Sequence, residues 1–108
     1  MSNPFDFFSG IYCVNLDTRA DRWHDSKKEF YRLGIRTKVK RFPGIIMPGK
    51  RTVHIGRAGC FSSFRAVVRE AKENKLENVL IFEDDVQFTE DALDVLSASI
   101  KGLSSTDW

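Results

Sequence analysis

Residues Val79–Val86 read VLIFEDDV, so that four apolar residues run directly into three consecutive carboxylates. A short, continuous apolar run of this kind is typical of a strand that is buried on both faces of a parallel sheet. Open parallel sheets bind their ligands at the carboxyl ends of the strands. We therefore expect Glu83, Asp84 and Asp85 at the ligand-binding edge of such a sheet.

Strands and helices are predicted to alternate along the rest of the chain. Three apolar or β-branched runs predict strands: Ile11–Leu16, Thr37–Phe42 and Val79–Phe82. Apolar residues at helical spacing predict three helices: Thr18–Leu33, a second that starts at Cys60 and a third that follows Thr89. This order predicts an α/β fold in which an open, mostly parallel sheet is covered by helices on both faces.

Local signals set the predicted ends of the first helix and the position of a loop. Thr18 and Asp21 have the spacing of a capping box at the start of this helix. Gly34 followed by the apolar Ile35 predicts a Schellman ending. The stretch 45–58 contains one proline and two glycines among basic residues. We expect it to be a long, mobile loop, and loops of that length are often functional.

Length and composition describe one packed domain, residues 1–108. Hydrophobic residues make up 42% of the chain, charged residues make up 30%, and the net charge is +2. This balance excludes a disordered chain and gives no indication of nucleic-acid binding. The chain has no apolar run of roughly 20 residues that would span a membrane, and it begins without a targeting pattern.

The two cysteines, Cys13 and Cys60, both lie within apolar runs. Buried thiols without a disulfide partner are typical of proteins in reducing compartments. We therefore expect two free, buried thiols, with a disulfide between them as the alternative, and a cytoplasmic location, which includes the inner face of the membrane.

The acidic end of the third strand predicts a metal site. Glu83 and Asp85 are two residues apart, so they project to the same side at the end of the strand. Divalent cations prefer such carboxylate oxygens and leave positions for substrate phosphates. Asp84 would then project elsewhere, toward a ribose or sugar hydroxyl. The alternative is a solvated acidic turn ahead of the last helix.

A second polar cluster is predicted where the first strand passes into the first helix. Arg19 and Arg22, beside the helix N-terminus, suit a phosphate. Asp17 can accept a hydrogen bond from a base or a ribose, and Asn15 precedes it at the strand end. The alternative is that Arg19, Asp21 and Arg22 only form solvated pairs in a first helical turn.

The predicted second helix opens with Gly59-Cys60-Phe61-Ser62-Ser63. Gly59 permits a close backbone approach, and the hydroxyl of Ser63 can bond a ligand. The alternative is an ordinary helix start over a core. The sequence identifies no catalytic base.

Four stretches together resemble glycosyltransferase family 25: Val14–Arg22, Arg41–Ile45, Gly59–Ser63 and Val79–Val86. They occur in the order and at about the spacing of the family's motifs, and they cover the chain from Ile11 to about Phe88. One position departs from the family pattern, because Phe64 stands where a histidine usually follows Gly-Cys-x-x-Ser.

The resemblance implies a GT-A-like, Rossmann-like fold and a nucleotide-sugar donor, usually a UDP-sugar, with a divalent cation, manganese or magnesium. Glu83 and Asp85 would flank the metal and the diphosphate, whereas Asn15, Asp17, Arg19 and Arg22 would hold the nucleotide. The acceptor would be a saccharide of lipopolysaccharide or lipooligosaccharide synthesis; related enzymes in animals are collagen galactosyltransferases. Family members are much longer, so this chain would be the donor-side half of a domain that is incomplete at the C-terminus.

Two other functions remain open from the sequence. A non-catalytic nucleotide-sugar-binding or interaction module of the same fold is one, and the short length and Phe64 favour it. A phosphoacceptor receiver domain is the other, but its acid pair would follow the first strand, whereas here the acids follow the last one. An open sheet edge can also pair with a second copy, which predicts a homodimer.

Overall fold

The structure is a computed structural model that describes residues 3–48 and 53–104. Its three strands are Gly10–Asn15 (β1), Val39–Pro43 (β2) and Val79–Glu83 (β3), and its helices are Ala20–Arg32 (α1), Val53–Glu73 (α2) and Ala92–Ser104 (α3). A short 3-10 helix, Pro4–Phe7, precedes β1. The strands form one parallel sheet in the order β2-β1-β3. The predicted α/β class with an open parallel sheet is thus confirmed.

The register of the sheet brings the carboxyl ends of all three strands to one edge. In the central strand, Asn15 lies beside Pro43 of β2, and Val14 lies beside Glu83 of β3. The three acids that follow the apolar run of β3 therefore lie next to the end of β1, as the sequence predicts.

The main core lies between the sheet and the helices α1 and α3. Its fully buried members include Cys13 from β1 and Phe30 from α1, both with no exposed surface. Phe82 and Phe88 extend this core, with ring centroids 5.5 Å and 6.3 Å from that of Phe30. Because side chains of a strand alternate between faces, the neighbouring Tyr12 lies on the opposite face, which α2 covers.

Helix α1 ends as predicted but starts differently. Gly34 has a φ of +74°, its N–H donates to the carbonyl of Tyr31, and the N–H of buried Ile35 donates to that of Phe30. These bonds are the predicted Schellman motif. The predicted capping box at Thr18 is wrong: the helix begins at Ala20, and Arg19 caps it without a side-chain hydrogen bond. The cause is a turn closed by the Arg19 N–H and the Leu16 carbonyl, which leaves Thr18 outside the helix.

Helix α2 begins at Val53, seven residues before the predicted start at Cys60. Residues 53–58 of the predicted loop 45–58 are therefore helical, residues 49–52 lie outside the described part, and mobility stays a prediction for the rest. Gly56, one of the two glycines that suggested a loop, lies within the helix, at a cost of about 1 kcal/mol relative to alanine. Strand β2 is also displaced, since it begins at Val39 and includes Pro43; an edge strand tolerates a proline.

The two cysteines differ in their surroundings. Both are free, as predicted, but only Cys13 is buried, whereas Cys60 is exposed. Cys60 lies on α2 where that helix borders a cleft, which periodicity alone did not predict. Within the described residues, no helix is long and apolar enough to cross a membrane.

Candidate functional site

A cleft of about 370 Å³ opens at the carboxyl edge of the sheet. Every element that reaches this edge contributes to it. Its lining comprises Val14 and Leu16 from the end of β1, Arg19 and Arg22 from the start of α1, Gly44–Met47 after β2, Gly59, Cys60, Ser63 and Phe64 from α2, and Glu83–Asp85 from the end of β3.

The three acids divide into two groups. The side chains of Glu83 and Asp85 are exposed and line the cleft. Glu83 accepts a hydrogen bond of 3.2 Å from the thiol of Cys60. The carboxylate of Asp84 is only 14% exposed and bonds to other parts of the protein. All three acids line the cleft, but only Glu83 and Asp85 are exposed there.

Asp84 is held from three directions. One carboxylate oxygen accepts from Nδ2 of Asn15 at 2.8 Å, and the other pairs with a guanidinium nitrogen of Arg22 at 3.4 Å. Its backbone carbonyl accepts from the hydroxyl of Ser26 on α1 at 2.9 Å. Asp84 therefore projects toward α1, and its predicted contact with a sugar stays a prediction.

Asn15 is 2% exposed and does not line the cleft. Its Nδ2 donates to the carbonyl of Arg19 at 3.0 Å and also to Asp84. Its Oδ1 accepts from Nε of Arg41 at 2.9 Å, and its carbonyl accepts from Nη2 of the same arginine at 3.0 Å. Asn15 is thus connected to both neighbouring strand ends, which the sequence did not predict.

Sequence reasoning did not single out Arg41, which contacts two of the predicted site residues. Besides its two bonds to Asn15, it forms an ion pair with Asp17. Asp17 is 78% exposed and lies outside the cleft lining. The only sequence signal for Arg41 was its place in one of the motifs that resemble the family.

Arg19 and Arg22 both line the cleft but differ in their partners. Arg19 pairs with Asp21 through two hydrogen bonds of 3.0 Å. This guanidinium lowers the pKa of Asp21 to about 2. Arg22 makes the longer contact with Asp84, and its side chain is 46% exposed. Both arginines carry positive charge on the cleft wall, and Arg22 has the weaker protein contact.

Ser63 is 2% exposed, and its hydroxyl already has two partners in the protein. It donates to the carbonyl of Gly59 at 2.8 Å and accepts from the N–H of Ile45 at 2.8 Å. Ser63 thereby fastens the segment after β2 to α2, and a bond to a ligand stays a prediction.

Apolar residues form a further part of the cleft lining, and we call them the apolar wall. It comprises Val14, Leu16, Ile45, Ile46, Met47 and Phe64. Ile46 is 52% exposed, which is unusual for an isoleucine. The sequence did not predict this wall, although the apolar triplet in the predicted loop was a usable signal. Phe64 adds an aromatic ring where the resembling family usually has a histidine.

The carboxylates of Glu83 and Asp85 are the candidate cation ligands in the cleft lining. Among residues 3–48 and 53–104, no group of three or more His, Cys, Asp or Glu side chains is arranged to hold a metal ion. Glu83 and Asp85 nevertheless fit the way in which Mg²⁺ or Mn²⁺ is bound by one or two carboxylates, with substrate phosphates as further ligands. These two carboxylates are exposed in the cleft, whereas that of Asp84 is already bonded to Asn15 and Arg22.

Comparison with known proteins gave several matches. Residues 46–107 match the sequence profile of glycosyltransferase family 25 (LPS biosynthesis protein). Procollagen galactosyltransferase 2 from Homo sapiens and that from Mus musculus are each 29% identical over 101 residues, covering 75% of this chain. A glycosyltransferase 25 family member from Anopheles gambiae is 28% identical over 102 residues, covering 74% of this chain. No solved structure matches significantly.

The chain spans 16% of the length of the two procollagen galactosyltransferases and 17% of that of the Anopheles gambiae protein. The profile match includes the cleft-lining residues of α2 and the acidic end of β3. It extends over more than half of the chain. This chain therefore belongs to glycosyltransferase family 25.

Proposed function

We propose that the cleft binds the nucleotide diphosphate of a sugar donor together with a divalent cation, in a protein that transfers the sugar to a saccharide acceptor. The observation that carries this proposal is the composition of the cleft edge. Two exposed acids, Glu83 and Asp85, and two arginines, Arg19 and Arg22, line the same cleft at the carboxyl ends of the strands.

The charged side of the cleft suits the diphosphate. Arg19 and Arg22 offer guanidinium groups to phosphate oxygens, and Arg22 is the more available because its contact with Asp84 is 3.4 Å long. Glu83 and Asp85 would hold the cation, which neutralises charge on the departing diphosphate. In this arrangement the acids bind the phosphates only through the cation, because carboxylates and phosphates repel each other.

The apolar side of the cleft suits the rings of the donor. Leu16, Ile45 and Ile46 present aliphatic surface, and Phe64 presents an aromatic face. Ligand sites are commonly apolar with a few polar groups that fix orientation. The base or the sugar would pack on this wall, and its partial exclusion of water would strengthen the interactions of the charged side.

The donor and acceptor follow from the family and its named relatives. Two relatives are named as procollagen galactosyltransferases, so UDP-galactose is the first donor to test. The family is described by LPS biosynthesis, which favours saccharide acceptors of the lipooligosaccharide type alongside glycosylated peptides. Manganese is the first cation to test, and magnesium is the second.

Calorimetric titration of UDP with and without manganese tests the binding proposal. We expect binding that requires the metal, and we expect the double variant Glu83→Gln, Asp85→Asn to lose it. A matched control is the double variant Glu73→Gln, Glu77→Gln, which removes two exposed acids outside the cleft. Metal-independent binding, or unchanged binding in the cleft variant, would contradict the assignment of these acids.

A non-catalytic nucleotide-sugar-binding module is the second candidate, and Phe64 favours it. Phenylalanine can neither donate nor accept a proton, so this position on the cleft wall supplies no acid–base chemistry. The two candidates differ in turnover of bound UDP-galactose. Release of UDP in the presence of saccharide acceptors supports the transferase, whereas binding without release supports the module.

A further inference from the structure

We propose that Asn15 and Arg41 are positioning residues of the cleft, which hold the carboxylate of Asp84 and through it the guanidinium of Arg22. This inference deepens the proposed function and rests on it, because it assigns to Arg22 the contact with the diphosphate. The inference also assigns Asp84 to positioning Arg22, in place of the contact with a ribose or sugar hydroxyl that the sequence predicted.

The contacts form one continuous path across the three strand ends. Arg41 of β2 donates from Nε to Oδ1 of Asn15 at 2.9 Å. Asn15 of β1 donates from Nδ2 to Asp84 at 2.8 Å. Asp84, directly after β3, pairs with Arg22 of α1. The path thus begins at Arg41, which does not line the cleft, and ends at the guanidinium of Arg22, which does.

The chemistry of the path requires an amide at its centre. The guanidinium of Arg41 can only donate hydrogen bonds, and the carboxylate of Asp84, when ionised, can only accept them. Asn15 satisfies both because its amide has an acceptor at one atom and donors at the other. Aspartate at this position would place a carboxylate against that of Asp84, and leucine would remove one hydrogen-bond partner from each of Arg41 and Asp84.

Burial separates the positioning residues from those that meet a ligand. Asn15 is 2% exposed, and neither it nor Arg41 lines the cleft. A partly buried network whose members are all paired is stiffer than the same groups in water. Asn15 and Arg41 can therefore influence a bound diphosphate only through residues that line the cleft, and the side-chain contacts run through Asp84 to Arg22.

The path predicts an effect of Asp84→Asn that opposes simple electrostatics. Removing a carboxylate from an anion-binding cleft would tighten UDP binding if charge alone mattered. The positioning role predicts weaker binding instead, by about tenfold, since Arg22 loses the group that orients it. Tighter or unchanged binding of UDP by Asp84→Asn would overturn the proposal.

The variant Arg41→Lys tests the remote end of the path. Lysine keeps the positive charge but cannot make the two bonds to Asn15 with one planar group. We expect about tenfold weaker UDP binding in the wild-type background and no more than about a twofold change in the Asp84→Asn background. Equal losses in both backgrounds would overturn the path. Arg36→Lys is the matched control, because Arg36 lies over Trp23, away from the cleft.

Ligand-free NMR separates this proposal from the proposed function. Arg41→Lys is expected to shift the side-chain amide signals of Asn15 and the Nε–H signal of Arg22. If wild-type protein binds no UDP, the proposed function fails, and these signals still decide the positioning role. An unchanged Arg22 signal in a folded Arg41→Lys protein contradicts it, and Asp84→Asn supplies the same test if Arg41→Lys does not fold.

Discussion

Gly59 lies where α2 meets the segment that follows β2. A Cβ atom built at this position would lie 2.7 Å from the backbone oxygen of Ile45. Four residues later on the same helix, Ser63 bonds both to the Gly59 carbonyl and to the Ile45 N–H. The missing side chain therefore has a structural reason, because it lets the backbone of the cleft wall reach the helix.

Gly59→Ala is expected to destabilise the protein by about 1–3 kcal/mol, because the obstructing atom belongs to the backbone and the wall must shift. Thermal unfolding monitored by circular dichroism measures the change. The matched control is Gly102→Ala, where an added Cβ meets nothing within 4 Å and the gain in helix propensity should stabilise by about 1 kcal/mol. Equal effects of the two substitutions would show that the Ile45 contact is unimportant.

Cys60 is the cysteine that a reagent can reach. Partial desolvation on the cleft wall and, secondly, the hydrogen bond with Glu83 raise the pKa of its thiol above the ordinary value. Burial raises the pKa of Cys13 to about 12. Since only the thiolate reacts, alkylation of Cys60 should be slow at pH 8 and rise with pH, and Cys13 should stay unmodified in the folded protein.

Glu83→Gln should accelerate alkylation of Cys60 severalfold at pH 8, because removal of the negative charge lowers the pKa of the thiol and increases the thiolate fraction. Mass spectrometry of iodoacetamide adducts over time gives both rates. Glu77→Gln serves as the control for loss of an acid outside the cleft. An unchanged rate in Glu83→Gln would mean that the thiol and the carboxylate do not interact in solution.

At the scale of elements, the last turn of α1 holds the connection that follows the acidic strand end. Glu29 accepts from Nη2 of Arg32 at 2.7 Å and from the N–H of Phe88 at 3.1 Å. Arg32 in turn donates to the carbonyl of Phe88 at 2.7 Å. Two charged side chains thereby satisfy both backbone groups of a residue outside regular structure.

The contacts of Glu29 with Arg32 and Phe88 predict that the protein is less stable in acid. The bond from Arg32, and secondly that from Phe88, lower the pKa of Glu29 below its ordinary value of 4.5. The ionised carboxylate therefore stabilises the fold above pH 4.5, and this contribution is lost as the pH falls through the lowered pKa. Urea unfolding at several pH values should show this loss in the wild type.

Glu29→Gln should lower stability by about 1 kcal/mol at pH 7, where the charged hydrogen bonds are lost. Below pH 4.5, the difference from the wild type should become smaller. Glu73→Gln, at the exposed end of α2, should follow the wild type at every pH. A difference between wild type and Glu29→Gln that does not depend on pH would contradict the role of the charge.

At the scale of the whole molecule, an aromatic cluster joins α1, β3 and the chain that follows β3. Phe30 is fully buried at its centre, and its neighbours are Trp23, Phe82 and Phe88, with ring centroids within 6.5 Å. Phe82 belongs to β3 and directly precedes Glu83. The packing of this ring therefore helps to fix the strand that ends in the acids.

Phe30→Ala is expected to cost about 3–5 kcal/mol, the range for removing a buried aromatic ring. Small domains have only about 5–15 kcal/mol of stability, so much of the total would be lost. Tyr31→Ala is the control, since Tyr31 is 79% exposed on the same helix and should change stability by less than about 0.5 kcal/mol. Phe30→Leu gives a measurable intermediate value if the alanine variant does not fold.

The sequence predicted those features that depend on neighbours along the chain. The apolar runs of β1 and β3 identified both strands, and Gly34 with Ile35 identified the end of α1, because backbone sterics and burial act locally there. Since parallel strands share their carboxyl edge, the same reasoning placed Glu83 and Asp85 beside the start of α1. It failed at the start of α2, where glycine was interpreted as a breaker.

By itself, then, the sequence determined the class of fold and the edge of the sheet at which the three acids lie. Only the tertiary structure decided which polar groups at that edge bond to one another and which remain exposed in the cleft. Arg41 and Asp84 are 26 and 69 residues away from Asn15 along the chain, yet both form hydrogen bonds with it. In the same way, Gly59 of α2 lies against the backbone of Ile45, which follows β2. Such contacts are set by the strand register and helix packing, which bring distant residues together without a local pattern.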